Sequence, residues 1–340
     1  MASGTRLKAF MQSTLWPDLE TQSQALLDTI PLKTQQKLQD TLSDRYRCGL
    51  NKEIQSKEEA ILYLITRLPA TLRVGEEVLK ILRQVSPSST AFKHILDCGA
   101  GPGGTRFLFP HFFNDLHTLT LVEKNSFMHS LGKILNHPMG TFVNHDYRKF
   151  SSLSSSLISS YELAYLSYTL SECISESLPS ILNSLWEKIT WGLIIIEPGT
   201  PQGFKTIQTA RTHLIQQGAY ILAPCGHEGV CPLVPPDWCH FSCRVFRTKA
   251  HQRLKKGTQP FEDEKFSYLI ASKQPSTASL SPRLIRPPLK RKGHTLIDLC
   301  TKKGVERLTL TPSKNPLYKA YQQLEWGDAF SSPPSSGNQE

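Results

Sequence analysis

Ile95-Leu96-Asp97-Cys98-Gly99-Ala100-Gly101-Pro102-Gly103-Gly104-Thr105 is an apolar strand running into a glycine-rich turn. Glycines at such a turn let the backbone take positive φ and approach a ligand closely. The spacing of Gly99, Gly101 and Gly104 formally satisfies a dinucleotide fingerprint. Short apolar stretches recur on either side of the turn: His94–Cys98, Thr118–Glu123, Leu163–Ser167, Gly192–Glu197, Ala219–Ala223 and Phe266–Ser272. Most are separated by helical patterns of the length βαβ units use, which predicts a mostly parallel, doubly wound α/β sheet.

Two carboxylates favour S-adenosylmethionine over a dinucleotide. Asp97 ends the first strand, where such folds place an acid near the charged amino acid portion of the cofactor. Glu123 ends the next, 22 residues after Gly101, where a carboxylate can accept hydrogen bonds from both ribose hydroxyls. Asp146 and Tyr147 follow at a position suited to the adenine. The expected cofactor set is therefore Asp97, Gly99, Ala100, Gly101, Gly103, Glu123, Asp146 and Tyr147, in a class I S-adenosylmethionine-dependent methyltransferase (Rossmann-like) fold. After the fourth strand, Leu166-Ser167-Tyr168-Thr169-Leu170-Ser171-Glu172 lacks the Asn/Asp-Pro-Pro-aromatic motif of amino-directed methyltransferases, so no catalytic residue is assigned.

Around this core, residues 1–90 read as an N-terminal helical region, with Ser56 as an N-cap, Glu59 as its capping-box partner and a break at Pro69. Residues 91–223 are the cofactor-binding core, 224–275 a Cys-rich loop, basic stretch and last core strand, 276–292 a Pro/Ser-rich basic linker, 293–328 a closing element and 329–340 a disordered tail. Ser151–Ser160 reads as a serine-rich surface loop.

Cys225, Cys231, Cys239 and Cys243 fall within 19 residues, and Cys300 lies further on. Their spacing matches neither paired Cys-x2-Cys knuckles nor the common ferredoxin run, leaving zinc and an iron–sulfur cluster both open. Ala223-Pro224-Cys225 matches the nucleophile motif of RNA cytosine-5 methyltransferases in residue type but follows too late a strand. Arg244, Arg247, Arg253, Lys255 and Lys256 form one acid-free basic stretch, and Arg286, Lys290, Arg291 and Lys292 belong to a second. Within a net charge of +10, two such stretches point to an RNA phosphate backbone. The longest apolar runs are too short to span a membrane. Eight cysteines and no secretory signal suggest a reducing compartment. A bacterial-type cytoplasm is expected, with the mitochondrial matrix as alternative because Arg6 and Lys8 precede any acid.

Seven stretches in order carry a resemblance: Arg67-Leu68-Pro69-Ala70-Thr71, the Asp97 turn, Glu197-Pro198-Gly199-Thr200-Pro201, Ala223-Pro224-Cys225, Asp237-Trp238-Cys239-His240-Phe241, Glu262-Asp263-Glu264-Lys265-Phe266-Ser267-Tyr268 and Trp326-Gly327-Asp328. Together they resemble the ribosomal small-subunit methyltransferase-like family, in a bacterial-type member. The resemblance implies association with small-subunit rRNA and ribosomal proteins during assembly. It also implies a [4Fe–4S] cluster held by Cys225, Cys231, Cys239 and Cys300, with Cys243 a bystander. Methyl transfer to rRNA is a possible activity; a methyltransferase acting on a protein or small molecule is the alternative. The free chain is expected to be monomeric.

Overall fold

The computed structural model describes residues 16–47, 53–87, 90–152, 160–173, 175–275, 281–315 and 317–330. Residues 153–159 of the serine-rich stretch, 276–280 of the expected linker and 331–340 of the expected tail lie outside that set, as does the N-terminal segment with Arg6 and Lys8. The chain divides into two compact units. The first comprises residues up to Leu79, Ala91–Ser167 and Arg244–Asp263; the second comprises Lys80–Thr90, Tyr168–Cys243 and the residues from Glu264 onward.

In the first unit, α1 (Pro17–Asp28), α2 (Leu32–Arg47) and α3 (Lys57–Thr66) precede α4 (Leu68–Val85), which starts here. Ser56 caps α3 by accepting the Glu59 N–H at 3.2 Å, but Glu59 returns its bond to the Gln55 amide at 2.9 Å rather than to Ser56. The break expected at Pro69 falls at Arg67, between α3 and α4. Pro69 sits in the first turn of α4, where its missing N–H costs nothing and its fixed φ is already helical. Strands β1 (His94–Cys98), β2 (Thr118–Glu123), β3 (Thr141–Asn144) and β4 (Tyr161–Ser167) follow. They stand in the order β3-β2-β1-β4, all parallel, with Asp97 in register with Leu121 on one side and Tyr165 on the other. All but the first residue of β1 is buried, as a parallel strand covered on both faces requires.

In the second unit, α7 (Leu178–Lys188, after α5, Thr105–Leu108, and α6, Ser126–Ile134) leads into β5 (Ile189–Pro198). Helix α8 (Pro201–Gln216) packs on β5 and is followed by β6 (Tyr220–Ala223). Beyond β7 (Phe241–Phe246) and α9 (Lys249–Leu254), β8 (Phe261–Ser272) lies between β5 and β6 and antiparallel to both. β8 is an antiparallel exception within the mostly parallel sheet that the sequence predicts. A parallel run of β1, β2, β3 and β4 in the order 3-2-1-4, with the last core strand inserted antiparallel between the fifth and sixth, is the class I methyltransferase arrangement.

The C-terminal part forms a second sheet of β9 (Arg283–Leu284), β10 (Leu289–Arg291), β11 (His294–Thr301) and β12 (Gly304–Leu310), all antiparallel about β11. Arg283–Leu284, expected in a linker, is therefore a strand, and Ala329 bridges to Arg283. One face of β11 presents Ile297 and Leu299 to a cluster with Leu284, Leu310, Tyr318, Tyr321 and Phe330. Phe330 is 5% exposed, so the expected tail is ordered at least that far. No described helix is long and apolar enough to cross a membrane.

Candidate cofactor and cysteine sites

The turn after β1 is fixed from three sides. The Gly99 and Ala100 amides both donate to the Val122 carbonyl, at 2.8 and 3.1 Å, strapping the turn to β2. Gly101 donates its N–H to Glu123 Oε2 at 2.8 Å, while Glu123 Oε1 accepts the Asn125 amide at 2.6 Å. Below the turn, buried Arg106 donates to the carbonyls of Pro102, Gly103, Gly132 and Leu135, with Phe142 against its guanidinium face. Nothing in the local sequence marked Arg106, because its acceptors lie as far as 29 residues away.

The glycines divide by what surrounds them. Gly99, Gly101 and Gly103 have φ of 71°, 55° and 72°. A methyl group on Gly101 would meet nothing within 4 Å, so that side of the turn is open. On Gly103 it would lie 2.6 Å from Phe142 Cζ, and on Gly104 2.7 Å from Leu68 Cδ1. Gly101 leaves room for a ligand; Gly103 and Gly104 make room for the protein.

A cleft opens beside Gly101, walled by Asp97, Gly99, Ala100 and Gly101, by Tyr63 and Thr71 from the N-terminal helices and by Tyr165 and Ser167 from β4. Asp97 is 2% exposed and accepts the Thr105 hydroxyl at 2.5 Å. Burial pushes its carboxyl up to about 7; the Thr105 bond holds it down and the Glu123 charge adds to the rise. Of the expected cofactor residues, Gly103, Glu123, Asp146 and Tyr147 do not line this cleft. Glu123 is buried behind the turn on its two amides, Asp146 pairs with Arg148, and Tyr147 is buried. Tyr63, Tyr165 and Ser167 carried no sequence signal; Thr71 closes the Arg67–Thr71 motif.

In the second unit, Glu197 is wholly buried and accepts the amides of Leu170 and Ser171 at 2.8 and 3.2 Å. Burial pushes it up to about 7 against those bonds. The loop after β4 is thus held by a carboxylate from β5. Tyr168, at φ 60°, donates its hydroxyl to Glu264 at 3.3 Å and its amide to the Ile196 carbonyl at 2.7 Å. Trp238 donates its indole N–H to the Gly199 carbonyl at 3.0 Å and stacks on His240. The motifs containing Glu197 and Trp238 are accounted for by these contacts.

Cys225, Cys231, Cys239 and Cys300 line one largely apolar cavity in that unit, with Phe204, Leu233 and Ile285. Cys243 is buried elsewhere. Cys300 projects from the face of β11 opposite Ile297 and Leu299. Burial pushes the thiols of Cys225, Cys239 and Cys300 up, Cys300 to about 12, and each rise is enlarged by the neighbouring cysteines. A metal bound by these cysteines would take the place of their protons. Among the described residues, no three His, Cys, Asp or Glu side chains are drawn together around the position of one metal ion. The cavity also holds Arg211 and Arg283, 5% and 6% exposed. They donate to the carbonyls of His227 (2.7 Å), Pro224 (3.0 Å) and Gly327 (3.0 Å), and among the described residues neither meets a carboxylate. Buried cations without a counter-ion are costly. Four thiols and two such guanidiniums fit a metal–thiolate group of net negative charge.

The two basic stretches differ in their surroundings. Arg244 pairs with Asp263 at 3.0 Å over the Phe261 ring, Arg247 and Lys255 share Glu262 at 2.5 and 3.3 Å, Lys256 reaches Asp40 at 3.0 Å, and Arg253 donates to Gln35 at 2.9 Å. In the second stretch Arg286 pairs with Asp237, whereas Lys290, Arg291 and Lys292 project into solvent.

Residues 57–331 match the model of the family described as mitochondrial small ribosomal subunit Rsm22. An Rsm22-cox11 tandem protein, mitochondrial, of Schizosaccharomyces pombe is 29% identical over 323 residues, covering 80% of this chain and 43% of that protein. The human ribosome assembly protein METTL17, mitochondrial, is 27% identical over 196 residues, covering 54% of this chain and 41% of its own length. The chain therefore spans less than half the length of these relatives. Among solved structures, magnesium protoporphyrin IX methyltransferase from Synechocystis with bound S-adenosylmethionine matches at 12% identity and a TM-score of 0.38, over 68% of this chain and 90% of that one. With the family model matching from α3 to the end of the C-terminal sheet, the chain belongs to the mitochondrial small ribosomal subunit Rsm22 family.

Proposed function

We propose that this chain binds S-adenosylmethionine at the turn after β1 and acts on the small ribosomal subunit as an assembly factor, in contact with its rRNA and ribosomal proteins. The carrying observation is the cleft beside Gly101: an open glycine and a buried carboxylate, Asp97, at the end of β1. Asp97 would meet the charged amino acid portion of the cofactor. Glu123 would hold the turn by its Gly101 bond and exchange that amide for ribose hydroxyls. Tyr147 and Asp146 remain the proposed adenine side. The cofactor supplies an electrophilic methyl group; the chain's part is to position it, and positioning is what methyl transfer chiefly needs.

Cys225, Cys231, Cys239 and Cys300 would hold a [4Fe–4S] cluster, with zinc the alternative occupant. The buried guanidiniums of Arg211 and Arg283 support a dianionic group of either kind. The family's ribosomal description and the relatives' names support the ribosomal role. Those relatives carry mitochondrial names, which favours the matrix over the bacterial-type cytoplasm expected first. The chain is taken as monomeric when free.

The test uses small subunits from cells lacking the protein, incubated with anaerobically purified full chain and methyl-labelled S-adenosylmethionine. Binding to the subunits is the result expected of an assembly factor, and label in rRNA that vanishes with Asp97→Asn would make it an rRNA methyltransferase. Failure to bind the subunits, with label appearing in protein instead, would overturn the ribosomal reading.

A further inference from the structure

On the reading that this chain contacts rRNA, the structure separates two basic stretches that look alike in sequence. Along the first, three carboxylates and a glutamine answer five cations: Asp263, Glu262 and Asp40, with Gln35 on Arg253. Glu262 and Asp263 come from the start of β8, within 19 residues of the cations they meet, and Asp40 comes from α2, 216 residues from Lys256. A polyanion gains less from a cation that already meets an acid, because that acid repels it. Lys290, Arg291 and Lys292 are different. They occupy β10 and the tight turn into β11, which Gly293 completes at φ 83°. All three are exposed, and none of their side chains has an ion-pair or hydrogen-bond partner among the described residues. No acid occurs in the sequence between Glu264 and Asp298. Asp298, the acid on the neighbouring strand, is held by Arg307 in two bonds of 2.6 and 2.7 Å. Leu289, 47% exposed, sits beside the cations and opposite Leu296, offering apolar surface next to the charge.

We infer that the β10–β11 hairpin, through Lys290, Arg291 and Lys292, is the surface that contacts the RNA phosphate backbone, and that the stretch from Arg244 to Lys256 is a structural ion-pair network. Phosphates engage unpaired surface cations with release of condensed counter-ions, so binding through them weakens as salt rises. Three side chains with no hydrogen-bonding commitments supply affinity without base recognition.

The experiment measures the affinity of the full chain for transcribed small-subunit rRNA over a series of potassium chloride concentrations. Lys290, Arg291 and Lys292 replaced together by alanine should weaken binding at least tenfold near physiological salt. The slope of log affinity against log salt should fall by about 2 to 3, one increment per lost contact. The set Lys290→Arg, Arg291→Lys and Lys292→Arg should keep the wild-type slope. Lys256→Ala with Arg244→Ala should change it little. Charge on an edge strand also discourages strand pairing between molecules. A triple-alanine variant that aggregates but binds RNA with the wild-type slope would assign the cations to that duty and overturn the inference, as would a slope that follows Arg244 and Lys256. A wild-type chain that binds no rRNA would remove the ribosomal reading itself, a failure visible before any variant is made.

Discussion

Asp97→Asn should make the cofactor-free protein more stable at alkaline pH while destroying its cofactor site. Asp97 is 2% exposed and its carboxyl is pushed up to about 7, chiefly by burial. In the unfolded chain an aspartate titrates near 3.9. Between those values the folded state holds a proton that the unfolded state has lost, so stability falls as pH rises through the window and the loss is complete above about 7. From about pH 5 to about pH 8 this one group should cost about 2–3 kcal/mol, most of it between pH 5 and 7. Asparagine mimics the neutral acid, and its oxygen can still accept the Thr105 hydroxyl. The stability difference between variant and wild type should therefore widen by that amount over the same range, in favour of the variant. Urea unfolding of both proteins without cofactor at the two pH values measures it, and comparing the pair cancels other titrating groups. With saturating S-adenosylmethionine the wild type should recover at pH 8, because the charged amino acid portion of the cofactor favours the ionised carboxylate; the variant should not. A difference that stays constant from pH 5 to pH 8 would refute the assignment of a buried, high-pKa carboxyl.

Gly103→Ala combines φ 72° with a Cβ 2.6 Å from Phe142 Cζ, and should cost about 2–4 kcal/mol in denaturant unfolding. Gly101→Ala, at φ 55° in open space, should cost only about 1 kcal/mol yet weaken S-adenosylmethionine binding in calorimetry, since the methyl enters the ligand's space. Arg106→Met removes the side-chain donor of the Pro102, Gly132 and Leu135 carbonyls, Gly103 keeping the Arg106 amide, and should destabilise by about 3 kcal/mol, read as a lower urea midpoint with unchanged slope. Anaerobic protein should hold about four irons and four sulfides per chain. Cys239→Ser should lose them and Cys243→Ser should keep them, as iron and sulfide assays would show, whereas stoichiometric zinc without iron would assign the cavity to the alternative metal.

The strands legible in the sequence were those whose burial is local. β1 and β2 were found at their observed bounds, and β4, β5 and β6 within three residues at either end, because each is a compact apolar run between turns. β3 was missed: its residues Thr141, Phe142, Val143 and Asn144 are only half covered and carry no such run. The C-terminal sheet was missed for a different reason. β12, Gly-Val-Glu-Arg-Leu-Thr-Leu, puts Glu306 and Arg307 on opposite faces and buries only Leu310, so it shows no clean apolar–polar alternation, and β9 is two residues long and formed by pairing with β11. The helix break near Pro69 was legible because proline is tolerated in a first turn and not in a helix interior, so it marks where α4 begins.

At the sites, sequence could name residue types but not who answers them. The glycine turn and Asp97 were legible because their spacing along one strand is itself the signal. The division of labour among Gly101, Gly103 and Gly104 was not, since it depends on Phe142 and Leu68 standing opposite. The four cysteines lie up to 75 residues apart and are joined because β11 turns Cys300 away from its own hydrophobic cluster. Charge shows the same limit most sharply. A run from Arg244 to Lys256 without an acid looks like an open cationic face, yet its counter-ions arrive from β8 and from Asp40 on α2. The shorter run at Lys290 keeps its charge because the one acid of the adjoining strand is already held by Arg307. Electrostatic function therefore follows from tertiary pairing, and of two similar sequence signals the weaker by count is the one left with charge to offer an anion.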